Sequence, residues 1–197
     1  MTFDYLFLTL KRAAQPHPAL AAHLKAVALA GGAVVGQWAA QLGWANNEAA
    51  VMVRWEGAPG DISAIAGADL VAASLSERLA PTLRPVGEAL PKPGGIHVHR
   101  WFEMDAGAVD EFVALSAQGW ERFEALFDAN IFGLLRADAS DADRAAGVAR
   151  LLLITRYGDH GVWEASRDPT TEAMQIFARR QALTRYTRAA STLLVAP

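Results

Sequence analysis

The chain contains no cysteine. Disulfides, thiolate nucleophiles, zinc–thiolate sites and iron–sulfur clusters are thereby excluded. It carries no long run of Lys or Arg, and its formal net charge is −3 with a sequence pI near 5.9. Both the basic footprint of nucleic-acid binding and a polybasic membrane patch are therefore missing. Apolar stretches are interrupted by Gly, His or Arg well short of a bilayer span. The opening Met1-Thr2-Phe3-Asp4-Tyr5 has no basic segment leading into an apolar one, so no signal peptide is expected. Phosphate loops and His-Glu-x-x-His motifs are absent, Gly31-Gly32 and Gly94-Gly95 being isolated pairs. These absences predict a cytoplasmic protein with no metal and no cofactor, bound neither to nucleic acid nor to a membrane.

What is present is ample core material. Of 197 residues, 52% are hydrophobic and 20% charged, enough for one large domain or two small ones. Residues 5–10 read as a strand. After Pro16 and Pro18, Leu20, Leu24, Val27 and Ala28 fall at helical spacing, stopped by Gly31-Gly32. Residues 33–40 and 50–55 read as strands around an Asn46-Asn47 turn. The Ala-rich segment 61–80 is expected to be a helix with Asp61 as N-cap. Pro91-Lys92-Pro93-Gly94-Gly95 reads as a linker between a first half, 1–90, and a second, 96–197.

The second half repeats the order. Residues 96–102 are a strand. Val109, Phe112, Val113, Ser116, Trp120, Phe123 and Phe127 form one stripe of a long amphipathic helix. Residues 131–135 and 151–157 are strands joined by a polar connection, 138–146. Residues 170–188 read as a helix, and Leu193-Leu194-Val195 as a last short strand. Val34-Val35-Gly36 answers Ile131-Phe132-Gly133, and residues 53–56 answer 155–158. Strands joined by a short turn pair antiparallel, and helices gather on one side. Residues 151–154 are apolar at every position, so both faces of that strand are expected to be buried. The expected fold is α+β: two tandem ferredoxin-like β-α-β-β modules.

Several residues carry a family likeness. Trp38, Gly43, Asn47, Val51, Val53 and Trp55, in segment 36–56, resemble the NIPSNAP pattern of a Gly, a turn with Asn and a strand ending Trp-x-Tyr. Val53 stands at the family's Trp and Trp55 at its Tyr, and the turn is one residue longer. Arg100, Phe102, Gly107 and Phe112 sit where the family has Arg, Tyr, Gly and Phe. Tyr157 matches the Tyr of the closing strand, while Trp163 replaces a usual Arg. The resemblance implies a fused dimeric α/β-barrel, a fold that hosts cofactor-independent monooxygenases, isomerases and haem proteins as well as proteins of unknown role.

Candidate chemistry starts from His97 and His99, which on a strand point to one face with Trp101 beyond them. With the mid-strand Arg100 they form the candidate catalytic set. Imidazole works near neutral pH, and a guanidinium stabilises an enolate. The plain alternative is a set of buried polar groups that find hydrogen-bond partners. Arg54 and Arg156, at strand ends, are expected to reach solvent or pair with Glu56 or Asp159. Trp101, Tyr157, Trp55, Trp38 and Asn47 are candidate ligand-binding residues, although each ring serves equally as core. Asp159-His160 lacks a nucleophile and reads as surface. Three functions follow: a binder or enzyme for a small apolar or aromatic molecule held in the barrel interior; a haem binder through His97 or His99; and a scaffold with a filled interior. The fused halves permit a monomer, and outer helices permit a homodimer.

Overall fold

The computed structural model describes residues 1–195 and divides into two compact units. One comprises Met1–Ala80 with the chain from Ala190 onward, the other Pro81–Ala189. The division falls at Ala80–Pro81, so the Pro-Gly segment 91–95 read as a linker lies inside the second unit.

The first unit runs β1 (Thr2–Leu10), α1 (Pro16–Ala26), β2 (Gly32–Leu42), β3 (Glu48–Trp55), α2 (Ser63–Ala66) and β4 (Val71–Pro81). β1 pairs antiparallel with both β3 and β4, and β3 pairs with β2. α1 opens on Pro16, whose missing N–H costs nothing in a first turn, and buries Leu20 and Leu24 at i and i+4. These pack with Ile65 on Leu6, Leu8, Val51, Val53 and Trp55, the alternate positions of β1 and β3.

The helix expected over 61–80 is one turn long. Asp61 does not cap it; its Oδ1 accepts from the Ser63 N–H at 2.7 Å in a local turn, and Ile62 occupies the N-cap. From Val71 the chain is strand, laddered to β1. Alanine's helix preference is a weak prior, and the open edge of β1 satisfies this backbone with eight ladder pairs.

The second unit runs β5 (Ile96–Asp105), α3 (Val109–Leu126), β6 (Ala129–Ala137), α4 (Asp141–Ala146), β7 (Val148–Tyr157), α5 (His160–Ala165), α6 (Glu172–Gln181) and β8 (Thr184–Leu194). β7 pairs antiparallel with β5 along its whole length and with β6 on its other side. α3 buries Val109, Phe112, Ser116, Trp120 and Phe123 of the stripe read from the sequence, while Val113 is half-buried and Phe127 is the extended C-cap beyond the helix. The helix expected over 170–188 stops at Gln181, whose carbonyl accepts from Thr184 Oγ1 at 2.8 Å. β8 then takes over, and of the short tail strand expected at 193–195, Leu193 and Leu194 form the end of this longer one. Its last residues belong to the first unit, where Leu194 pairs with Trp38 of β2.

Each unit thus adds a fourth strand to the expected β-α-β-β order. Both carry a bulge at matched places: between Val34 and Gly36 opposite β3, and between Ile131 and Gly133 opposite β7. The fold class is α+β, two ferredoxin-like modules in one chain. Among the described residues, no helix is long and apolar enough to cross a membrane.

Candidate functional site

β5 separates the candidate residues by simple alternation. Ile96, Val98, Phe102 and Met104 pack with α3 and α6, and Arg100 stands in the same register on that face. His97, His99 and Trp101 face the opposite way, beside Arg156, Ile154 and Leu152 of β7. The expected grouping of both imidazoles with Arg100 is therefore corrected: adjacent strand residues point to opposite faces, so Arg100 cannot join a site made by His97 and His99.

The two imidazoles are buried, at 0% and 1% exposure. His97 Nε2 donates to the Lys92 carbonyl at 3.1 Å, which puts a ring proton on that nitrogen. Burial pushes the His97 pKa down to about 4 and that of His99 well below the ordinary range. Both are neutral at pH 7.

On the helix side of the same strand lies a cavity of about 180 Å³. Arg100, Thr155 and Tyr157 reach it from the sheet, Trp120 and Phe123 from α3, and Met174, Phe177 and Arg180 from α6. Ser166 and Arg167, just after α5, complete one side. α6 is capped by Thr171, whose Oγ1 accepts from the Met174 N–H at 3.3 Å. Its inward positions, Ala173, Ile176, Phe177 and Arg180, follow helical spacing. Gly119 lets α3 approach α6 closely, since a methyl group there would overlap the Phe177 ring.

Arg180 is 3% exposed. Its guanidinium carbon lies 4.4 Å from the Phe177 ring centroid, 5.2 Å from that of Phe112 and 5.3 Å from that of Phe102. Nη1 donates to Ser116 Oγ at 3.3 Å, while the buried Nε has no acceptor. The Trp120 indole N–H is likewise buried without an acceptor. Burial, then repulsion from Arg100, brings the Arg180 pKa down to about 9. Burial also lowers that of Arg100, with Arg167 adding repulsion and Tyr157 offsetting it. Burial raises the Tyr157 pKa against the pull of the arginines, so its phenol stays protonated. The lining holds no Asp, Glu or His. The site offers hydrogen-bond donors and positive charge around an aromatic hollow, without an ordinary general base.

Of the residues expected to form a site, Arg100 and Tyr157 meet here. Trp55 lies in the core of the first unit, its Nε1 donating to Asp4 Oδ2 at 2.7 Å. Trp38, in β2, is fully buried on the face away from α1. Asn47 donates to the Leu10 carbonyl at 2.6 Å and so ties its turn to β1. Arg54 pairs with Glu56 as expected, whereas Arg156 pairs with Asp128 rather than Asp159. Asp159 caps α5 through the Val162 N–H at 2.8 Å. Arg180, Arg167, Ser166, Thr155 and Phe177 were not singled out by the sequence reading. Two signals pointed to the site: an Arg in the middle of the apolar register Ile96-Val98-Arg100-Phe102-Met104, and another seven residues after Ala173 on a helical stripe. Among the described residues, no three His, Asp or Glu side chains converge to hold a metal ion.

No protein-family model matches this sequence, and no curated protein does. Solved structures do match. An anthrone oxidase-like protein aligns with 99% of this chain and 91% of its own at TM-score 0.62 and 12% identity. A ferredoxin-fold protein from Listeria monocytogenes 4b F2365, related to antibiotic biosynthesis monooxygenases, covers 100% of this chain and 97% of its own at TM-score 0.53 and 9% identity. A NIPSNAP domain protein from Burkholderia xenovorans covers 52% of this chain and 93% of its own, at TM-score 0.38 and 16% identity. The two full-length likenesses show the ferredoxin-like fold and do not single out NIPSNAP.

Proposed function

We propose that the second unit binds a small, single-ring aromatic molecule in the cavity between β5, β7, α3 and α6. The observation that carries this is a hollow of about 180 Å³ walled by Trp120, Phe123, Tyr157 and Phe177. An apolar cavity of about 150 Å³ accepts benzene, whereas drug-sized ligands occupy roughly 300 Å³ or more. One ring fits; a haem macrocycle does not fit this cavity.

The reaction class this lining supports is cofactor-independent oxygenation. Isomerisation moves a proton between two atoms of the substrate and needs a base to carry it, and the lining supplies no imidazole or carboxylate. A phenolate that enters already ionised and is oxidised by O₂ to a quinone, with hydroxide as the second product, needs no protein base to ionise it, only a stabilised aromatic oxyanion and bound dioxygen. Arg100 and Arg180 furnish the stabilisation. The fold shared with an anthrone oxidase-like protein supports this reading as analogy only. The NIPSNAP-like segments at 36–56 and around Arg100 support a narrower placement near that family.

Trp120 fluorescence, titrated with single-ring phenols and benzoates under air while oxygen uptake is followed, tests the proposal. Saturable quenching with oxygen consumption is expected. Quenching without uptake leaves a binding protein; no response to any ring removes the ligand site. A Soret band on haem addition that His97→Phe abolishes would favour haem on the opposite face of β5.

A further inference from the structure

We infer that the molecule received by this cavity is an anion, a single aromatic ring bearing a carboxylate or phenolate oxygen, held by Arg100 and Arg180. The inference rests on the reading of the cavity as a ring-binding site and specifies the charge of its occupant.

The chain's other arginines set the standard. Where one is buried or half-buried, a carboxylate meets it: Arg54 with Glu56, Arg78 with Asp4, Arg84 with Glu124, Arg150 with Asp143, Arg156 with Asp128. Arginines without such a pair, including Arg12, Arg136 and Arg179, are exposed. Arg100 and Arg180 depart from both patterns. Arg180 is buried and Arg100 half-buried, they border one cavity, and no Asp or Glu lines it. Three phenyl rings and the Ser116 hydroxyl surround Arg180, and ring faces offset only part of the cost of burying a guanidinium.

The unmet groups have one polarity. Arg180 Nε and Trp120 Nε1, both on lining residues, are donors without acceptors. A ring without an acceptor would leave them unmet, a neutral acceptor would leave the two guanidinium charges unanswered, and a cation would be repelled. An oxyanion on a ring supplies the acceptor and the charge together, with its ring against Phe123 and Phe177. Arg167, exposed beside the cavity and stacked 5.7 Å from the Trp163 ring centroid, adds positive charge at the rim.

Calorimetric titration of the full chain with benzoate, with the neutral isostere benzamide and with 4-nitrophenol tests this. Benzoate or 4-nitrophenolate is expected to bind about tenfold or more tighter than benzamide. Preference between the two anions tells carboxylate from phenolate. Arg180→Met and Arg100→Met should each weaken anion binding about tenfold to a hundredfold and leave benzamide binding unchanged or improved. Their ligand-free melting temperatures should be equal to or above that of the parent, because an unpaired buried charge is removed. Benzamide binding as tightly as benzoate, or anion affinity untouched by both variants, overturns the anion assignment and leaves the ring-binding reading standing. If no ring compound binds the parent protein, the ring-binding reading itself falls. Should Arg180→Met fail to fold, the benzoate–benzamide comparison on the parent and the Arg100→Met variant decide the matter.

Discussion

Leu6 and Arg100 occupy the same place in the two units. Each sits in the first strand, opposite Val51 and Leu153 of the third, on the face that the helices cover. Four pairs earlier in each ladder, on the same face, Thr2 faces Trp55 and Ile96 faces Tyr157. In the first unit that face is filled with Leu, Val and Trp, and its one buried acid, Asp4, is answered by Arg78 at 2.6 Å and by the Trp55 indole. In the second unit the same surface holds a hollow and two guanidiniums without an acid. The core of the first unit is filled, and that of the second keeps the hollow proposed above as a ligand site. The difference teaches that identical backbone roles leave the chemistry to a few inward positions.

Exchanging residues between the units tests that contrast. Leu6→Arg should be the most damaging, costing about 4 kcal/mol or more, since a filled core gives the charge neither room nor partner. Chemical denaturation measures it, and a near-neutral result would mean the first core is not packed as described. Asp4→Ala should cost about 3 kcal/mol by stranding the Trp55 N–H and part of the Arg78 charge. The partial exposure of Arg78 keeps the figure from rising further.

The opposite face of β5 gives a pH test. His97 stands where the first unit has Phe3, and His99 where it has Tyr5. The folded His97 pKa of about 4 lies below the ordinary 6.5. Between these values the unfolded chain binds a proton that the folded chain does not. Its contribution is therefore present above pH 6.5 and is lost as pH falls toward 4. At pH 5 this amounts to about 2 kcal/mol, and His97→Phe should flatten that part of the stability–pH curve. An unchanged slope would mean that His97 is not buried in its neutral form. The smallest effect has the opposite sign: Arg100→Leu, the first unit's residue in the second unit's place, should stabilise the ligand-free protein by about 1 kcal/mol while removing anion binding. A clear loss of stability would show that Arg100 already has a partner.

Much of this architecture was legible beforehand, and the failures have identifiable causes. The α3 stripe from Val109 to Phe123 was readable because five spaced residues, Val109, Phe112, Ser116, Trp120 and Phe123, agree on one face. Segment 61–80 misled because alanine favours helix locally, whereas the unpaired edge of β1 recruits the segment as a strand. Residues 184–188 misled because helical spacing runs past Gln181 although the chain turns there. For the site, Arg100 and Tyr157 were legible as polar or aromatic residues on strands. Arg180 was not, because an Arg near a helix end ordinarily reaches solvent and favours the negative pole of the helix dipole.

By itself the sequence determined the strand and helix periodicities, the matched order of the two halves, the absence of thiol chemistry and the alternation that sets His97 and Arg100 on opposite faces. These follow from local backbone geometry, which repeats every two or 3.6 residues whatever lies nearby. Only the tertiary structure decided that Arg180, 80 residues after Arg100, shares its cavity, that no carboxylate comes with them, and that Leu6 in the same role meets a closed core. Convergence of distant side chains depends on how α6 packs over the sheet, and burial and charge balance are properties of that packing rather than of any one segment.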